Sequence, residues 1–293
     1  RWDRLDLYHG PNFKMHTTGR YGGIVTIHDL WLARHPEYSR KLLGQAGSSR
    51  RAIATANRAR KVVTVSEFSA REIESLYGIP RDHLRVIHNG VSEDFTPLCN
   101  DQVRAELRTR WSIPPAGFML FVGGADPRKN HVGFLQAVAS CRSQLGGRAI
   151  VLVGDAEHPQ GSYAATAQSF GLEQEVRCTG RLDREDLRRL YSCTDLFVFP
   201  SHYEGFGMPV LEAMACGAPT VTSLTSSLPE VAGDAALLVN PDDVEDLSRA
   251  MVTVLSDATL RENLRQRGYE RARLFTWQRA ALSTSALYRE LSA

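Results

Sequence analysis

Ten short runs rich in β-branched, aliphatic and aromatic residues alternate with longer amphipathic stretches along the chain, at residues 5–9, 23–28, 61–65, 84–88, 118–122, 149–153, 175–178, 196–199, 219–222 and 236–239. Each run is too brief for a globular helix, and the segments between are long enough to carry one. Parallel strands need such a crossover between them, so the alternation predicts βαβ units and parallel sheets. A chain of 293 residues has room for two α/β domains of this kind.

Helical periodicity predicts helices over 66–77, 183–191, 243–255 and 260–273, with Ser66 as an N-cap and Gly78 as a C-terminal stop. Pro97, Pro114 and Pro115 bracket a charged helix over 101–111 and mark a domain boundary. The expected domains are 1–98 and 99–275, followed by a final helix over 276–293. The first of these holds four strands, where a doubly wound domain has about six, and four alone would leave a raw sheet edge. The chain also begins without Met. About eighty to a hundred residues are therefore expected to precede it, given the usual size of such domains.

Composition narrows the function classes. The longest apolar runs, at 118–122 and 150–153, are far too short to cross a bilayer. No leader pattern opens the sequence at Arg1-Trp2-Asp3-Arg4. The five cysteines are odd in number and scattered, with no C-x-x-C pair. They predict neither a disulfide framework nor a zinc site, and a reducing, cytoplasmic compartment. Residues 1–100 carry fifteen Lys/Arg against ten Asp/Glu, and Arg50, Arg51, Arg58, Arg60 and Lys61 have no acid between them. A basic helical stretch over 50–61 suits peripheral contact with anionic lipid or phosphate, although a solvated helix face is the commoner outcome. No basic run is interleaved with aromatic residues, which speaks against nucleic acid as a partner.

In an open parallel sheet a ligand sits beyond the carboxyl ends of the strands. In the second half those ends lead into Gly123-Gly124-Ala125-Asp126-Pro127-Arg128-Lys129-Asn130, Gly154-Asp155, Gly180-Arg181-Leu182 and Pro200-Ser201-His202-Tyr203-Glu204-Gly205-Phe206-Gly207. Glycines, adjacent cations and a carboxylate thus converge on one edge, as a phosphorylated, polyhydroxylated ligand requires. Arg128 offers a planar fork and Lys129 a mobile point charge, a pair suited to a diphosphate. Pro209 fits the first turn of a helix whose N-terminal amides face an anion. Glu212, one turn further in, would repel phosphate and suits ribose hydroxyls instead. Taken singly, Arg128-Lys129 reads more readily as a surface turn and Glu212 as a surface residue.

Together these residues carry a resemblance. Glu204-Gly-Phe-Gly-Met-Pro-Val-Leu-Glu212 resembles the E-x7-E motif of the GT4 family of retaining glycosyltransferases. The likeness extends to residues 123–130, to Val86-Ile-His-Asn-Gly-Val91, Thr64-Val-Ser-Glu-Phe-Ser69 and Thr26-Ile-His-Asp29, and to Ser226-Ser-Leu-Pro-Glu-Val231. His88 stands where the family usually has proline. The resemblance implies a GT-B fold: two Rossmann-like, doubly wound parallel-sheet domains facing a cleft, the N-terminal one incomplete here. The final helix would return to the first domain and place Ala280, Leu282 and Leu287 on it. Arg128 and Lys129 would neutralise the departing diphosphate, and Glu204 and His28 would meet the transferred sugar. Gly123, Gly124, Asp155, Arg181, Leu182, Gly205, Phe206, Gly207 and Glu212 would bind the donor, Arg181 and Leu182 beside the base and Glu212 at the ribose. No metal or other cofactor is expected, since the two cations replace one. The donor implied is a nucleoside-diphosphate sugar, with GDP-mannose favoured, and the acceptor a glycan or lipid-linked saccharide. Two other readings stay open on the residues alone, a non-catalytic nucleotide-sugar-binding subunit and a sugar-nucleotide epimerase on a similar fold.

Overall fold

The structure, a computed structural model, describes residues 6–15, 23–35, 46–158 and 161–292, without the side chains of 46–51, 157–158 and 161. They form two compact units: Arg1–Gly90 with Glu204–Phe206 and Phe275–Ala293, and Val91–Tyr203 with Gly207–Leu274. The division falls at Gly90/Val91 rather than after residue 98, and the tripeptide Glu204–Phe206 belongs to unit 1.

Unit 1 begins with β1 (Tyr8–Gly10), β2 (Gly23–Ile27), α1 (Trp31–Arg34), α2 (Ala46–Arg58), β3 (Lys61–Thr64), α3 (Glu67–Tyr77) and β4 (Leu84–Val86). Its four strands pair in parallel in sequence order. Of the strand expected at 5–9, residue 5 lies outside the described residues, and β1 starts three residues late. β2 is buried at every position, as a strand covered on both faces should be. α3 begins and ends as its sequence predicts: Ser66 accepts the Ser69 amide, and Gly78 takes the left-handed conformation at φ 65°.

Unit 2 contains α4 (Asp101–Trp111), β5 (Phe118–Val122), α5 (His131–Ser140), β6 (Ala149–Val153), the two-residue strands β7 (Glu157–His158) and β8 (Gly161–Ser162), α6 (Tyr163–Ser169), β9 (Val176–Gly180), α7 (Arg184–Cys193), β10 (Leu196–Phe199), α8 (Met208–Ala215), β11 (Thr220–Ser223), α9 (Leu228–Ala232), β12 (Leu237–Val239), α10 (Val244–Ser256) and α11 (Ala258–Ala272). β7 and β8 form a small antiparallel ribbon. The other six strands form one parallel sheet ordered β12-β11-β10-β5-β6-β9. Its core stacks Phe121 on Phe134 at 5.7 Å between centroids and buries Met119, Leu135, Leu152, Val198 and Met251. Each such side chain contributes roughly 1.5–3 kcal/mol on burial.

Residues 94–99 run along α7 as a strap. Asp94 pairs with Arg184 at 2.6 Å, and Arg188 donates to the Thr96 carbonyl at 2.9 Å and hydroxyl at 2.7 Å. The Leu98 amide donates to Ser192 Oγ at 3.0 Å, and a disulfide joins Cys99 to Cys193 with Cα atoms 5.3 Å apart. The expectation of no disulfide is corrected here. The partners stand 94 residues apart, and only the folding of the strap onto α7 brings them together. With that pair formed, cysteine usage no longer argues for a reducing compartment.

The chain ends in α12 (Trp277–Ser292), which belongs to unit 1. Leu287 and Leu291 pack with Ile24, Val63 and Ile87, and Ala280 and Tyr288 lie against the same cluster. Leu282, expected on this face, is instead 61% exposed. It sits five residues before Leu287, about 140° around the helix from it and so off the face that 3- and 4-residue spacing defines. His9 is held between Thr26 Oγ1 at 2.7 Å and Tyr288 Oη at 2.5 Å.

Candidate functional site

In unit 2 the strand order reverses between β5 and β10: β6 and β9 extend to one side, β11 and β12 to the other. This is the topological switch point of a doubly wound sheet, where loops leaving adjacent strands diverge and open a crevice. The loop after β5 carries Gly123, Gly124, Arg128 and Lys129; the loop after β10 carries Ser201, His202 and Tyr203. They are fastened at the Arg128 carbonyl, which accepts from the His202 amide at 2.9 Å and Ser201 Oγ at 3.0 Å.

The two cations are held differently. Arg128 lies in a short 3-10 turn, Pro127–Lys129, whose N-cap Asp126 accepts the Arg128 amide at 2.9 Å. Its Nε is 3.8 Å from Asp126 Oδ2, and its side chain is 19% exposed. Lys129 lays its stem against Gly123 and carries Nζ 5.2 Å above the Phe199 ring. A cation–π contact of this kind contributes about 0.5–1 kcal/mol and leaves the ammonium positive. Asp155 and Arg181 meet as a fork, with Nε–Oδ1 at 2.6 Å and an Nη–Oδ2 bond at 2.5 Å. That guanidinium holds the Asp155 carboxyl below its usual range. Both side chains are exposed, so the pair adds little stability and can open to a ligand. Leu182 follows Arg181 in the same loop, half-buried.

Gly207 takes the N-cap position of α8, and its φ of 106° suits glycine; a Cβ there would stand 2.7 Å from Leu228 Cδ2. Pro209 occupies the first turn and no side chain caps the helix, so its N-terminus presents backbone donors and positive dipole. Glu212 lies in this helix and accepts from Tyr191 Oη at 3.3 Å. Burial pushes its carboxyl up to about 7, while the Tyr191 hydrogen bond and, after it, the Arg184 charge act the other way.

The remaining predicted residues lie in unit 1. His28 follows β2, and its Nε2 is 3.0 Å from the Pro11 carbonyl. A carbonyl only accepts, so Nε2 is the donor in this bond. Gly205 sits so close to the His28 backbone that a Cβ would meet its oxygen at 2.3 Å. The Gly205 carbonyl accepts from Ser66 Oγ at 2.7 Å and Ser69 Oγ at 3.2 Å, all three residues being buried. Glu204 is 6% exposed beside this clamp. Phe206 joins His88 and Phe275 in a three-ring cluster with centroids 5.4–6.0 Å apart. His88, the departure from the family's proline, thus packs against the glycine loop.

A family description, Glycosyl transferases group 1, matches residues 104–271, and a second, Glycosyltransferase Family 4, matches residues 1–95. The chain belongs to the group 1 glycosyltransferases. It is 33% identical over 288 residues to the O-antigen chain mannosyltransferase B of Escherichia coli, covering 97% of this chain and 74% of that protein. It is 34% identical over 233 residues to the serotype-specific mannosyltransferase WbdA of Escherichia coli, covering 78% of this chain and only 28% of WbdA. Sucrose-phosphate synthase from Thermosynechococcus elongatus matches the fold with a TM-score of 0.80 at 24% identity, over 99% of this chain and 75% of that one. This group 1 glycosyltransferase is therefore an enzyme of GT-B fold, built of two parallel-sheet α/β units.

Three residues escaped the sequence reading. Ser66 was legible as a cap but not as a donor to Gly205, and Ser69 only as part of a motif. Tyr191 reads from the sequence only as the last residue of the helix expected over 183–191. Nothing in the sequence pairs positions 136–139 or 21 residues apart; a buried hydroxyl's need for a partner was the one available signal. Of the basic stretch, the side chains of Arg50 and Arg51 lie outside the described residues. Arg60 donates to the Leu291 carbonyl and Lys61 to that of Asp82, each at 2.5 Å. Those two bind unit 1 together, which is a structural task. Among the described residues no helix is long and apolar enough to cross a membrane.

Proposed function

We propose that this enzyme transfers mannose with retention from GDP-mannose to a glycan or lipid-linked acceptor, without a metal ion. The observation that carries the reading is the mannosyltransferase relative aligned over 97% of the chain. The switch-point arrangement of unit 2 supports it: Arg128 and Lys129 in the loop after β5, and the uncapped N-terminus of α8 in the segment after β10, both suit a diphosphate.

Departure of a nucleoside diphosphate leaves positive charge on the anomeric carbon and adds negative charge to the leaving phosphate. Cations fixed at that phosphate favour the transition state over the ground state. At about 4 Å and an effective dielectric of about 20, each is worth roughly 4 kcal/mol before desolvation. Glu212 is assigned to the ribose, Asp155, Arg181 and Leu182 to the surroundings of the base, and Gly123, Gly124 and Gly207 to phosphate and sugar. In unit 1, Glu204 is assigned to the developing oxocarbenium, Gly205 and Phe206 to sugar contacts through their amides, and His28 to a sugar hydroxyl through Nδ1. With one carboxylate so placed, a front-face displacement fits better than a paired nucleophile and acid. Contact with a membrane would come through a lipid-linked acceptor.

The test is a transfer assay with GDP-mannose, UDP-glucose and a mannan acceptor, the product's anomeric configuration read by NMR. Transfer from GDP-mannose with an α-linked product is expected. Exclusive use of a uridine donor, or a β-linked product, would overturn the assignment.

A further inference from the structure

The Glu212 carboxylate has two oxygens, and the fold engages one of them from within the protein. Tyr191, 0% exposed near the end of α7, reaches Glu212 Oε2 with its hydroxyl at 3.3 Å. A phenol carries a single O–H, so the bond made to Oε2 leaves Oε1 for a ligand. The ring is immobilised edge-on by Phe197 of β10 at 5.3 Å and by Phe95 of the strap at 6.1 Å. The strap is anchored to α7 at Asp94, Thr96, Leu98 and Cys99. A phenylalanine would fill this space without a polar atom to satisfy, so the buried hydroxyl is explained by what it bonds.

We propose that Tyr191 is a positioning residue for nucleotide binding, its hydroxyl holding Glu212 in one rotamer and favouring the ionised carboxylate that receives the ribose hydroxyls. The proposal rests on the assignment of Glu212 to the ribose. Burial raises the Glu212 carboxyl to about 7, so near that pH part of it is neutral, and a neutral acid is a poorer acceptor for a diol. Among the elements packed on α8, the α7 groups facing Glu212 are Tyr191 and Arg184. Cys216, just past the helix end, has its thiol pushed up to about 12 and stays neutral. α9 carries Glu230, and α11 places Arg265 and Tyr269 at Gly217, beyond the end of α8. β10 and β11 carry no titratable side chain.

Calorimetric titration of GDP and UDP from pH 5.5 to 9 tests this on wild type, Tyr191→Phe, Glu212→Gln and the double variant. In wild type, affinity should rise through a midpoint near pH 7, a feature absent from Glu212→Gln. Tyr191→Phe should move that midpoint up by about one unit, weakening binding near pH 6.5 about tenfold while curves converge at pH 9. In the Glu212→Gln background the same change should alter affinity less than about twofold. A Tyr191→Phe midpoint equal to wild type, with melting temperature preserved, overturns the role of Tyr191 and leaves the nucleotide assignment standing. Failure of the wild type to bind either nucleotide overturns that assignment itself.

Discussion

Ser66 Oγ stands 2.7 Å from the Gly205 carbonyl while accepting the Ser69 amide as the cap of α3. One hydroxyl thus satisfies a helix terminus and fixes a loop 139 residues downstream. Replacing Ser66 with Ala removes the cap, worth about 1 kcal/mol, and weakens the satisfaction of a buried carbonyl, costing up to about 1–3 kcal/mol more. Ser69 Oγ, 3.2 Å from the same oxygen, can turn to it and recover part of the second loss. Urea unfolding should show Ser66→Ala destabilised by about 1–3 kcal/mol and Ser69→Ala by less. Equal stability of Ser66→Ala and wild type would show that the bond carries nothing.

Arg128 and Lys129 predict indifference to chelators. If their charge meets the diphosphate, transfer should persist in excess EDTA. Lys129→Ala should cost about 1.5–3 kcal/mol of transition-state stabilisation, roughly ten- to a hundred-fold in kcat/KM. Activity abolished by EDTA and restored by Mg²⁺ or Mn²⁺ would contradict the proposal.

Glu204 and Glu212 should separate in their kinetic effects. Glu212→Ala should weaken both GDP-mannose and free GDP about ten- to a hundred-fold, through loss of hydrogen bonds to the ribose. Glu204→Gln keeps the side chain's size and removes its charge, so turnover should fall by about two to three orders of magnitude. Free GDP affinity should barely change. Equal weakening of GDP by the two variants would show that the division of roles is mistaken.

The raised Glu212 carboxyl gives stability a pH dependence of known sign. Its folded value of about 7 exceeds the ordinary 4.5, so between these the folded chain keeps a proton that the unfolded chain has lost. Stability carried by the neutral acid is complete below about pH 4.5 and is lost as pH rises through 7, about 3 kcal/mol in all. Unfolding free energies measured from pH 5 to 8.5 should fall more for wild type than for Glu212→Gln. Parallel curves would mean that the carboxyl titrates normally.

The Cys99–Cys193 bond closes a loop across 94 residues of unit 2. Its reduction, or replacement of Cys99 by Ser, should lower stability by about 2–4 kcal/mol. Melting curves with and without reductant test this; a Tm unmoved by reductant, with the bond verified by mass spectrometry, would count against it. The Cys99→Ser variant should be insensitive to reductant.

Local sequence determined the periodic and the local in this protein. The strands of both sheets, the Ser66 and Gly78 limits of α3 and the glycine turns around Arg128 and Glu212 depend on residues a few positions apart. Short β-branched and aliphatic runs, capping and positive φ act over that range, so the sequence alone displays them. The roles proposed for Glu204 and Glu212 come from the family motif. Tertiary structure decided whatever joins distant positions: the strap on α7 with its disulfide, the serine clamp on Gly205 and Tyr191 beneath Glu212. Each depends on which buried group finds a partner once the sheets have brought remote segments together. That is a property of the assembled interior, where an unpaired polar group is costly and no local pattern records who its neighbour will be.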